Sequence, residues 1–308
     1  METDEPENDN KTNVKPITIV NANARSLCPK INSLIDCLEE MDAAVGIVTE
    51  IWLTDGDSLK EDLADLSAGA GVGLLCKNRP PNAAGISHGG VAIAYRIGAC
   101  AAREPVLQNQ DNYKVIVGVI TLAGYSRKMV VVGCYIPPGY DVGRGRGAVS
   151  YIEDVLIEVK RRFRDPFLVV GGDFNQWHVE DAIQEFPDMK ESRVGPTRKD
   201  KCLDRLFTNF GRSETESGTV PPLEVEPGET GAASDHKVSY VRAELLRREL
   251  LNGSPISTDF SMRNRLRSSG HGRWALIGLS LCSSLGAMRR PSITKGRLIG
   301  PLRGTSPW

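Results

Sequence analysis

The chain has 308 residues, 40% hydrophobic and 25% charged, and its 38 Lys and Arg residues nearly balance 39 Asp and Glu residues. This composition is typical of a soluble globular chain, and it excludes a uniformly basic nucleic-acid coat, a collagen, a coiled coil and a disulfide-rich miniprotein. The charge is unevenly placed. The segment from Arg242 onward holds 12 basic and three acidic residues, whereas the 241 residues before it hold 26 basic and 36 acidic residues.

The N-terminal half begins with an acidic segment and continues with alternating strand and helix patterns. The first 13 residues hold five acidic side chains and almost no apolar ones, so we expect disorder over residues 1–15. The β-branched run Ile17–Ala22 predicts a strand, and apolar positions on one face after Pro29 predict a helix. A second short strand is predicted at Ala44–Thr49, followed by a loop-like stretch to about Ser87.

The second half is dominated by strands. Six apolar segments have the composition of strands: Gly90–Tyr95, Tyr113–Leu122, Met129–Tyr135, Phe167–Gly172, Cys202–Thr208 and Val238–Leu245. One helix is predicted at Ser150–Phe163, with its cations near the C-terminal end, where the helix dipole favours them. Because strands outnumber helices and many follow one another directly, we predict an α+β fold, a sandwich of sheets with outer helices, as a single domain over residues 16–250.

Residues 251–308 differ from the rest of the chain. They are basic and rich in Ser, Arg and Gly, and they show no sustained periodicity, so we expect disorder; the alternative is a basic arm with salt-sensitive affinity for nucleic acid. The apolar stretch Trp274–Met288 is shorter than the roughly 20 residues that a membrane-spanning helix needs. No apolar signal segment follows Met1, and seven cysteines without a CxxC pair predict free thiols. We therefore expect an intracellular protein, nuclear or cytoplasmic, without membrane contact.

Polar side chains lie where several of the predicted strands end or begin. Polar groups at one end of several strands indicate a shared rim, where a rigid sheet can hold a functional site. The residues in question are Asn23 or its competitor Asn21, Glu50, Tyr135, Asp173, Asn175, Asp204, Asp235 and His236.

Such a set suits phosphodiester hydrolysis. Glu50 and Asp235 are hard oxygen ligands suited to Mg²⁺ or Mn²⁺, which would neutralise phosphate charge and stabilise the leaving oxygen. His236 beside a carboxylate such as Asp204 would form a base with its orienting partner. Taken singly, each residue has an ordinary alternative: a solvated strand end, a turn, or a helix cap in the GGDFN run. The joint order of these residues is what favours a site.

Eight short motifs follow one another over about residues 16–245: NARSL (23–27), TEIWLTD (49–55), HGGVAIAYR (88–96), CYIPPG (134–139), GGDFNQWH (171–178), GPT (195–197), LDRLFTN (203–209) and SDHKVSY (234–240). Together they resemble the endonuclease/exonuclease/phosphatase superfamily and, more narrowly, the endonuclease domain of non-LTR (LINE-type) retrotransposons. The resemblance implies a four-layer α/β sandwich, in which two packed, mainly antiparallel sheets are flanked by helices.

The resemblance also implies a metal site. Glu50 would be the main ligand of a divalent cation, Mg²⁺ or Mn²⁺, with Asn23 and Asp235 near the metal. We prefer Asn23 over Asn21 because the NARSL run places it at this position. His178 follows the DFNQW run, but no catalytic role is implied for it, and we expect a structural role.

Further roles concern the phosphate and the attacking water. The resemblance implies that His236, paired to Asp204, contacts the scissile phosphate and helps to activate water. Asp173 would orient or deprotonate that water or assist the leaving group. Phosphate contacts, or support for the imidazole, are implied for three further side chains: Asn175, Tyr135 and Thr197.

Several features depart from the family pattern or leave alternatives open. Residues 57–87 lack a clear strand pattern, and the segment from Gly211 to Gly231 is long, acidic and rich in Pro and Gly. Arg144, Arg146 and the basic run Lys160–Arg164 are candidates for a DNA-binding patch, but they are equally typical of solvated charge. Nothing after residue 250 resembles a polymerase palm, so we expect no reverse transcriptase domain in this chain, and no protein partner is predicted.

The sequence thus favours a Mg²⁺-dependent endonuclease that nicks DNA and leaves a 3′-hydroxyl. One alternative is a phosphoesterase of the same fold that acts on abasic DNA, RNA or a small phosphate ester, because substrate choice lies in surface loops. The other is a non-catalytic remnant of a retrotransposon that at most binds nucleic acid.

Overall fold

The computed structural model describes residues 16–53, 58–78, 88–104, 114–231 and 233–245. The expected disordered ends, residues 1–15 and 251–308, lie outside the described residues. The described helices are α1 (Ile31–Glu40), α2 (Ser58–Gly69), α3 (Val142–Arg162) and α4 (Glu180–Ile183). The described strands are β1 (Ile17–Asn23), β2 (Ala43–Thr49), β3 (Val72–Lys77), β4 (Val91–Arg96), β5 (Cys100–Arg103), β6 (Lys114–Leu122), β7 (Met129–Tyr135), β8 (Phe167–Asp173), β9 (Lys190–Glu191), β10 (Asp204–Thr208), β11 (Glu214–Val220) and β12 (Val238–Ala243).

The strands form two six-stranded sheets. The first has the order β11-β12-β1-β2-β4-β3, and the second has the order β5-β6-β7-β8-β10-β9. Each sheet contains one parallel pair, β1 with β2 and β7 with β8, and the other pairs are antiparallel. The predicted α+β sandwich of two mainly antiparallel sheets is therefore confirmed.

Three apolar cores separate four layers. Ile19 and Ile47 of the first sheet pack with Val131 and Val169 of the second sheet between the two sheets. A second core joins the outer face of the first sheet to α1, and a third joins the outer face of the second sheet to α3 and α4. Both faces of each sheet are thus covered, which explains why β7 is buried over its whole length and is continuously apolar.

Several elements were not expected from the sequence. The stretch to Ser87, predicted as a loop, contains α2 and β3 in its described part, and β5 and β11 were not predicted either. The reason is that their local patterns are weak: β11 has the polar sequence ETESGTV, and all of its residues are exposed or half-buried. It pairs with β12, the next strand in the chain, a contact that local periodicity does not show.

Helix α3 begins eight residues before the predicted start at Ser150, because tertiary packing and a cap compensate for its glycines. The side chain of Asp141 accepts a hydrogen bond from the backbone N–H of Arg144 at 2.9 Å and so caps the helix. A Cβ on Gly145 would lie 2.0 Å from the Trp177 ring, so only glycine allows this packing.

Two predictions about the chain as a whole concern cysteines and membranes. The cysteines of the described residues, which exclude Cys282, carry thiols; Cys100 and Cys134 are buried, whereas Cys37 and Cys76 are half-buried and Cys202 is exposed. Across the described ranges, no helix combines the length and the apolar character that crossing a bilayer requires.

Candidate active site

The strand directions bring six polar chain segments to one rim of the sandwich. The carboxyl ends of the parallel pair β1 and β2 lie together, as do those of β7 and β8. Because β10 and β12 run antiparallel to their neighbours, they begin at the rim where those neighbours end. In the second sheet, Tyr135 is paired with Asp173 and Asp173 with Asp204, so the three side chains lie side by side.

Asp204 and His236 form the most buried charged pair of the rim. The Nδ1 atom of His236 lies 2.6 Å from Oδ2 of Asp204, and the two side chains are 3% and 0% exposed. Burial lowers the pKa of His236, but the hydrogen bond and charge of Asp204, with Asp173 and Asp235, outweigh burial and raise the pKa above its usual value. The pairing leaves Nε2 as the second imidazole nitrogen, the atom available for proton transfer.

Thr197 supports this pair through the backbone. Its Oγ1 accepts hydrogen bonds from the N–H groups of Leu203 and Asp204, both at 3.1 Å. The backbone N–H of Lys237, next to His236, donates to the Thr197 carbonyl at 2.7 Å. Thr197 therefore fixes the start of β10 and the approach to β12 and, through them, both partners of the acid–imidazole pair.

Asp173 lies beside the same pair, in a set of ligand atoms from Asp173, Asp204 and His236 that are all within 4.8 Å of one another. Burial and the nearby Asp204 carboxylate raise the pKa of Asp173, whereas His236 and hydrogen bonds from Asn175 and Asn23 oppose this rise. A carboxyl group with a raised pKa can exchange a proton near neutral pH, as a general acid or base must.

Asn23 joins the carboxylates of the two sheets. Its Nδ2 donates to Oδ2 of Asp173 at 2.8 Å and to Oε1 of Glu50 at 3.0 Å. The hydroxyl of Tyr135 donates to the same Oε1 of Glu50 at 3.3 Å. The half-buried Glu50 has a φ of 52°, a left-handed conformation that is costly for a residue with a Cβ and is typical of functional sites.

Asn21, the competitor of Asn23, lies deeper in the molecule. Alternate residues of β1 face alternate sides, so Asn21 faces the second sheet one step inward from Asn23. Its Nδ2 donates to the carbonyl groups of Gly172 at 3.3 Å and Arg205 at 3.5 Å. Asn21 therefore links the sheets in the core, and Asn23 contacts the carboxylates at the rim.

Asn175 follows Asp173 in a tight turn. Its backbone N–H donates to Oδ1 of Asp173 at 3.0 Å, and its Nδ2 donates to the carbonyl of Ile136 at 3.0 Å. Gly172, just before Asp173 in β8, has a φ of 147°, and a Cβ there would lie 1.8 Å from the carbonyl oxygen of Cys134 on β7, so the close approach of these strands requires glycine. The GGDFN motif is thus needed for backbone geometry as well as for its polar side chains.

Asp235, predicted near the metal, contacts two arginines. Its Oδ1 lies 3.3 Å from Nη1 of Arg25, and its Oδ2 lies 2.8 Å from Nε of Arg198. Burial raises the pKa of Asp235, but Arg198 and His236 outweigh it, and the net shift is downward. The Oδ1 atom is 3.9 Å from Nε2 of His236, so this ion-paired group lies next to the acid–imidazole pair.

Sequence reasoning missed the function of Lys30, which is fully buried. Its Nζ donates to the carbonyl groups of Arg25 at 3.0 Å and Ser26 at 3.2 Å, two residues with positive φ. Burial, and secondarily the charge of Arg25, lower the pKa of Lys30. Lys30 therefore holds the loop that follows Asn23 and carries Arg25; its position three residues after NARSL was the available signal.

A cleft of about 720 Å³ opens beside the rim. The residues that line it include Asn175, His178, Arg198, Lys199 and Lys201. The side chain of His178 is 86% exposed, so it does not have the structural role that was expected for it.

The candidate basic patch on α3 is partly neutralised within the helix. Arg161 and Arg162 both bind Glu158, and the Lys160 ammonium lies 5.4 Å from the centre of the Phe186 ring. These contacts favour the interpretation of this run as solvated surface charge.

Residues 12–236 match the model of the Endonuclease/Exonuclease/phosphatase family. The chain belongs to this family. No curated protein matches the chain at a significant level. Among solved structures, the endonuclease domain of TRAS1, a telomere-specific non-LTR retrotransposon, is 16% identical; the match covers 75% of this chain and 99% of that one, with a TM-score of 0.52. The family hydrolyses phosphoester bonds, and the acidic rim with its histidine is consistent with that chemistry.

Two other solved structures have the same fold. A 3′-5′ exonuclease from Neisseria meningitidis is 15% identical, with a TM-score of 0.52 and coverage of 74% of this chain and 100% of that chain. The human Nocturnin catalytic domain with bound sulfate is 12% identical, with a TM-score of 0.54 and coverage of 74% and 93%. The same fold thus occurs in an endonuclease and in an exonuclease, so the fold leaves the substrate open.

Proposed function

We propose that this protein is a divalent-metal-dependent endonuclease that nicks DNA and leaves a 3′-hydroxyl. The observation that carries the proposal is the contact network in which Asn23 bridges Glu50 and Asp173, beside the buried pair of Asp204 and His236. The similarity to the TRAS1 endonuclease domain, together with the retrotransposon-type motifs NARSL and TEIWLTD, favours DNA as the substrate.

The donor set at the rim fits a hard divalent cation. Glu50 is a half-buried carboxylate whose geometry is fixed by Asn23 and Tyr135, and Oδ1 of Asp204 is buried without a hydrogen-bond partner in the described part of the chain. Carboxylate and amide oxygens are ligands that Mg²⁺ and Mn²⁺ accept. Glu50 would hold the cation, with Asn23 and Asp235 near it. A bound cation would neutralise phosphate charge and stabilise the leaving oxygen.

Other side chains of the rim would take the remaining catalytic roles. Asp204 fixes the imidazole of His236 through Nδ1, so that Nε2 can contact the scissile phosphate and exchange a proton. Asp173, with its raised pKa, would orient the attacking water and accept its proton. The amide of Asn175 would donate a hydrogen bond to a phosphate oxygen, where negative charge develops in the transition state, and the hydroxyl of Tyr135 would do the same after turning from Glu50 to the phosphate.

The test is the nicking of supercoiled plasmid by the full-length protein with Mg²⁺, with Mn²⁺ and with EDTA. We expect open circles that require a metal and that disappear in the Glu50→Ala and His236→Ala variants. The ends should be substrates for a DNA polymerase, which extends only a 3′-hydroxyl. A matched control is Glu216→Ala, which removes an exposed carboxylate paired with Arg242 at the far end of β12 and should leave nicking unchanged.

If folded wild-type protein fails to nick plasmid with either metal, the DNA-nicking proposal is wrong. Cleavage of RNA or of a small phosphate ester in the same preparation would then identify a different substrate for the same site. Absence of any phosphoesterase activity would support the non-catalytic alternative.

A further inference from the structure

Asp235 is bracketed by two guanidinium groups that the proposed reaction does not yet use. Arg25 contacts one carboxylate oxygen and Arg198 contacts the other, at 3.3 Å and 2.8 Å. The three side chains are between 37% and 42% exposed, so the group lies at the surface rather than in the core. Two arginines on one carboxylate carry a net charge of +1.

The net positive charge of this group contrasts with the acidic side chains of the neighbouring rim. The carboxyl groups of Glu50, Asp173 and Asp204 make the rim acidic, and a phosphodiester is an anion that such a rim repels. His236 carries at most one compensating charge. Fixed cations close to the acid–imidazole pair would attract an incoming nucleic-acid strand, and Asp235, whose Oδ1 lies 3.9 Å from Nε2 of His236, pairs with both Arg25 and Arg198.

The two arginines reach this position from separate parts of the chain, and each is anchored. Arg25 is in the loop that the buried Lys30 holds through the carbonyl groups of Arg25 and Ser26. Arg198 is in a tight turn in which it and Lys201 exchange backbone hydrogen bonds at 3.0 and 2.9 Å. Convergence of two anchored segments on one carboxylate gives a preorganised pair of guanidinium groups.

The cleft continues from this pair. Arg198 forms part of its wall together with Lys199 and Lys201, and Asn175 connects the cleft to the catalytic rim. A strand whose scissile phosphate lies at His236 would thus meet guanidinium groups at the next position along its backbone. Arginine is suited to this contact because its planar donors match phosphate oxygens.

We propose that Arg25 and Arg198 form a binding site for a backbone phosphate of the nucleic acid adjacent to the scissile phosphate, with Asp235 holding the two guanidinium groups in place. This inference rests on the proposed function, because it assumes a polymeric nucleic-acid substrate at the same rim. It assigns Asp235 a positioning role that does not depend on contact with a metal.

The test is DNA binding by the full-length protein in EDTA, where no cleavage occurs. The anisotropy of a labelled duplex oligonucleotide is measured over a series of KCl concentrations. We expect Arg25→Gln/Arg198→Gln to weaken binding about tenfold and to reduce the slope of log affinity against log salt by about 0.9 for each phosphate that the variant no longer neutralises. Arg242→Gln is the matched control, because Arg242 is similarly exposed and pairs with Glu216 at the far end of β12.

A second variant separates binding from structural support. Asp235→Asn keeps both arginines but replaces one of the two acceptor oxygens that hold them, so it should weaken binding in EDTA although it removes a negative charge; tighter or unchanged binding would overturn the positioning role of Asp235. An unchanged salt slope in the double arginine variant with a wild-type melting temperature would also overturn it. Wild-type protein that shows the arginine-dependent slope but does not nick with a metal would instead reject the proposed function and leave this binding site standing.

Discussion

The imidazole of His236 and the carboxylate of Asp204 lie 2.6 Å apart although 32 positions separate them in the sequence. The contact exists because β10 begins with Asp204 next to the end of β8, and β12 begins just after His236 next to the end of β1. β10 and β12, one from each sheet, thus begin at this rim. The parallel strands β1, β2, β7 and β8 end at the same rim.

We expect the two residues to act as one unit in catalysis. His236→Ala should lower the nicking rate by about 10²- to 10⁴-fold, the range typical of a general acid or base. Asp204→Asn should also lower it, because the imidazole loses its orienting acceptor. The double variant should be no slower than His236→Ala alone, since Asp204 acts through the imidazole. Multiplicative losses, measured as single-turnover rates on plasmid, would show that Asp204 has an independent role.

The two asparagines of β1 should separate stability from activity. Asn21→Ala removes hydrogen bonds between the sheets and should lower the free energy of unfolding by about 1–2 kcal/mol, with nicking retained. Asn23→Ala should also lower the free energy of unfolding, by about 1–3 kcal/mol, but unlike Asn21→Ala it should lower nicking about a hundredfold, because the Glu50 and Asp173 carboxylates lose their shared donor. Urea unfolding measures the stability of both variants, and plasmid nicking rates measure their activity. The reverse pattern would make Asn21 the functional residue.

Much of the rim could be predicted because it depends on strand ends. β7 and β8 are continuous apolar runs that terminate at a polar residue, so their boundaries are visible in the sequence. The two-sheet sandwich follows from the same runs. The elements that sequence reasoning missed, such as β11 and β3, are edge strands with half-buried residues, so only one side of each is paired and their apolar pattern is weak.

The contacts of individual side chains at the site were less predictable. No local pattern shows that Asp235 lies between Arg25 and Arg198, since the three residues come from three segments that meet only in the fold. The burial of Lys30 was hidden for a different reason. A lysine is almost never fully buried without partners, and its partners here are backbone carbonyl groups, which sequence does not distinguish.

Lys30 should support both stability and the geometry of the site. Lys30→Met keeps the length of the side chain but leaves two carbonyl groups without their donor, at a cost of about 1–3 kcal/mol for each unsatisfied group. Nicking should fall as well, because the loop that follows Asn23 and carries Arg25 loses its anchor. The control is Lys128→Met, whose Nζ contacts Thr121 at an exposed position. A Lys30→Met variant as stable as Lys128→Met in urea would contradict this account.

The position of the metal can be tested without measuring cleavage. Two neighbouring sets of ligands are available, one around Glu50 and Asn23 and the other formed by Asp173, Asp204 and His236. In the second set, Nδ1 of His236 is already bound to Asp204, and Asp173 already accepts hydrogen bonds from Asn23 and from the backbone N–H of Asn175. We therefore expect Mn²⁺ to raise the melting temperature of the wild-type protein and of His236→Ala, but not of Glu50→Gln. If His236→Ala abolishes the Mn²⁺ effect while Glu50→Gln keeps it, the cation binds at the buried set instead.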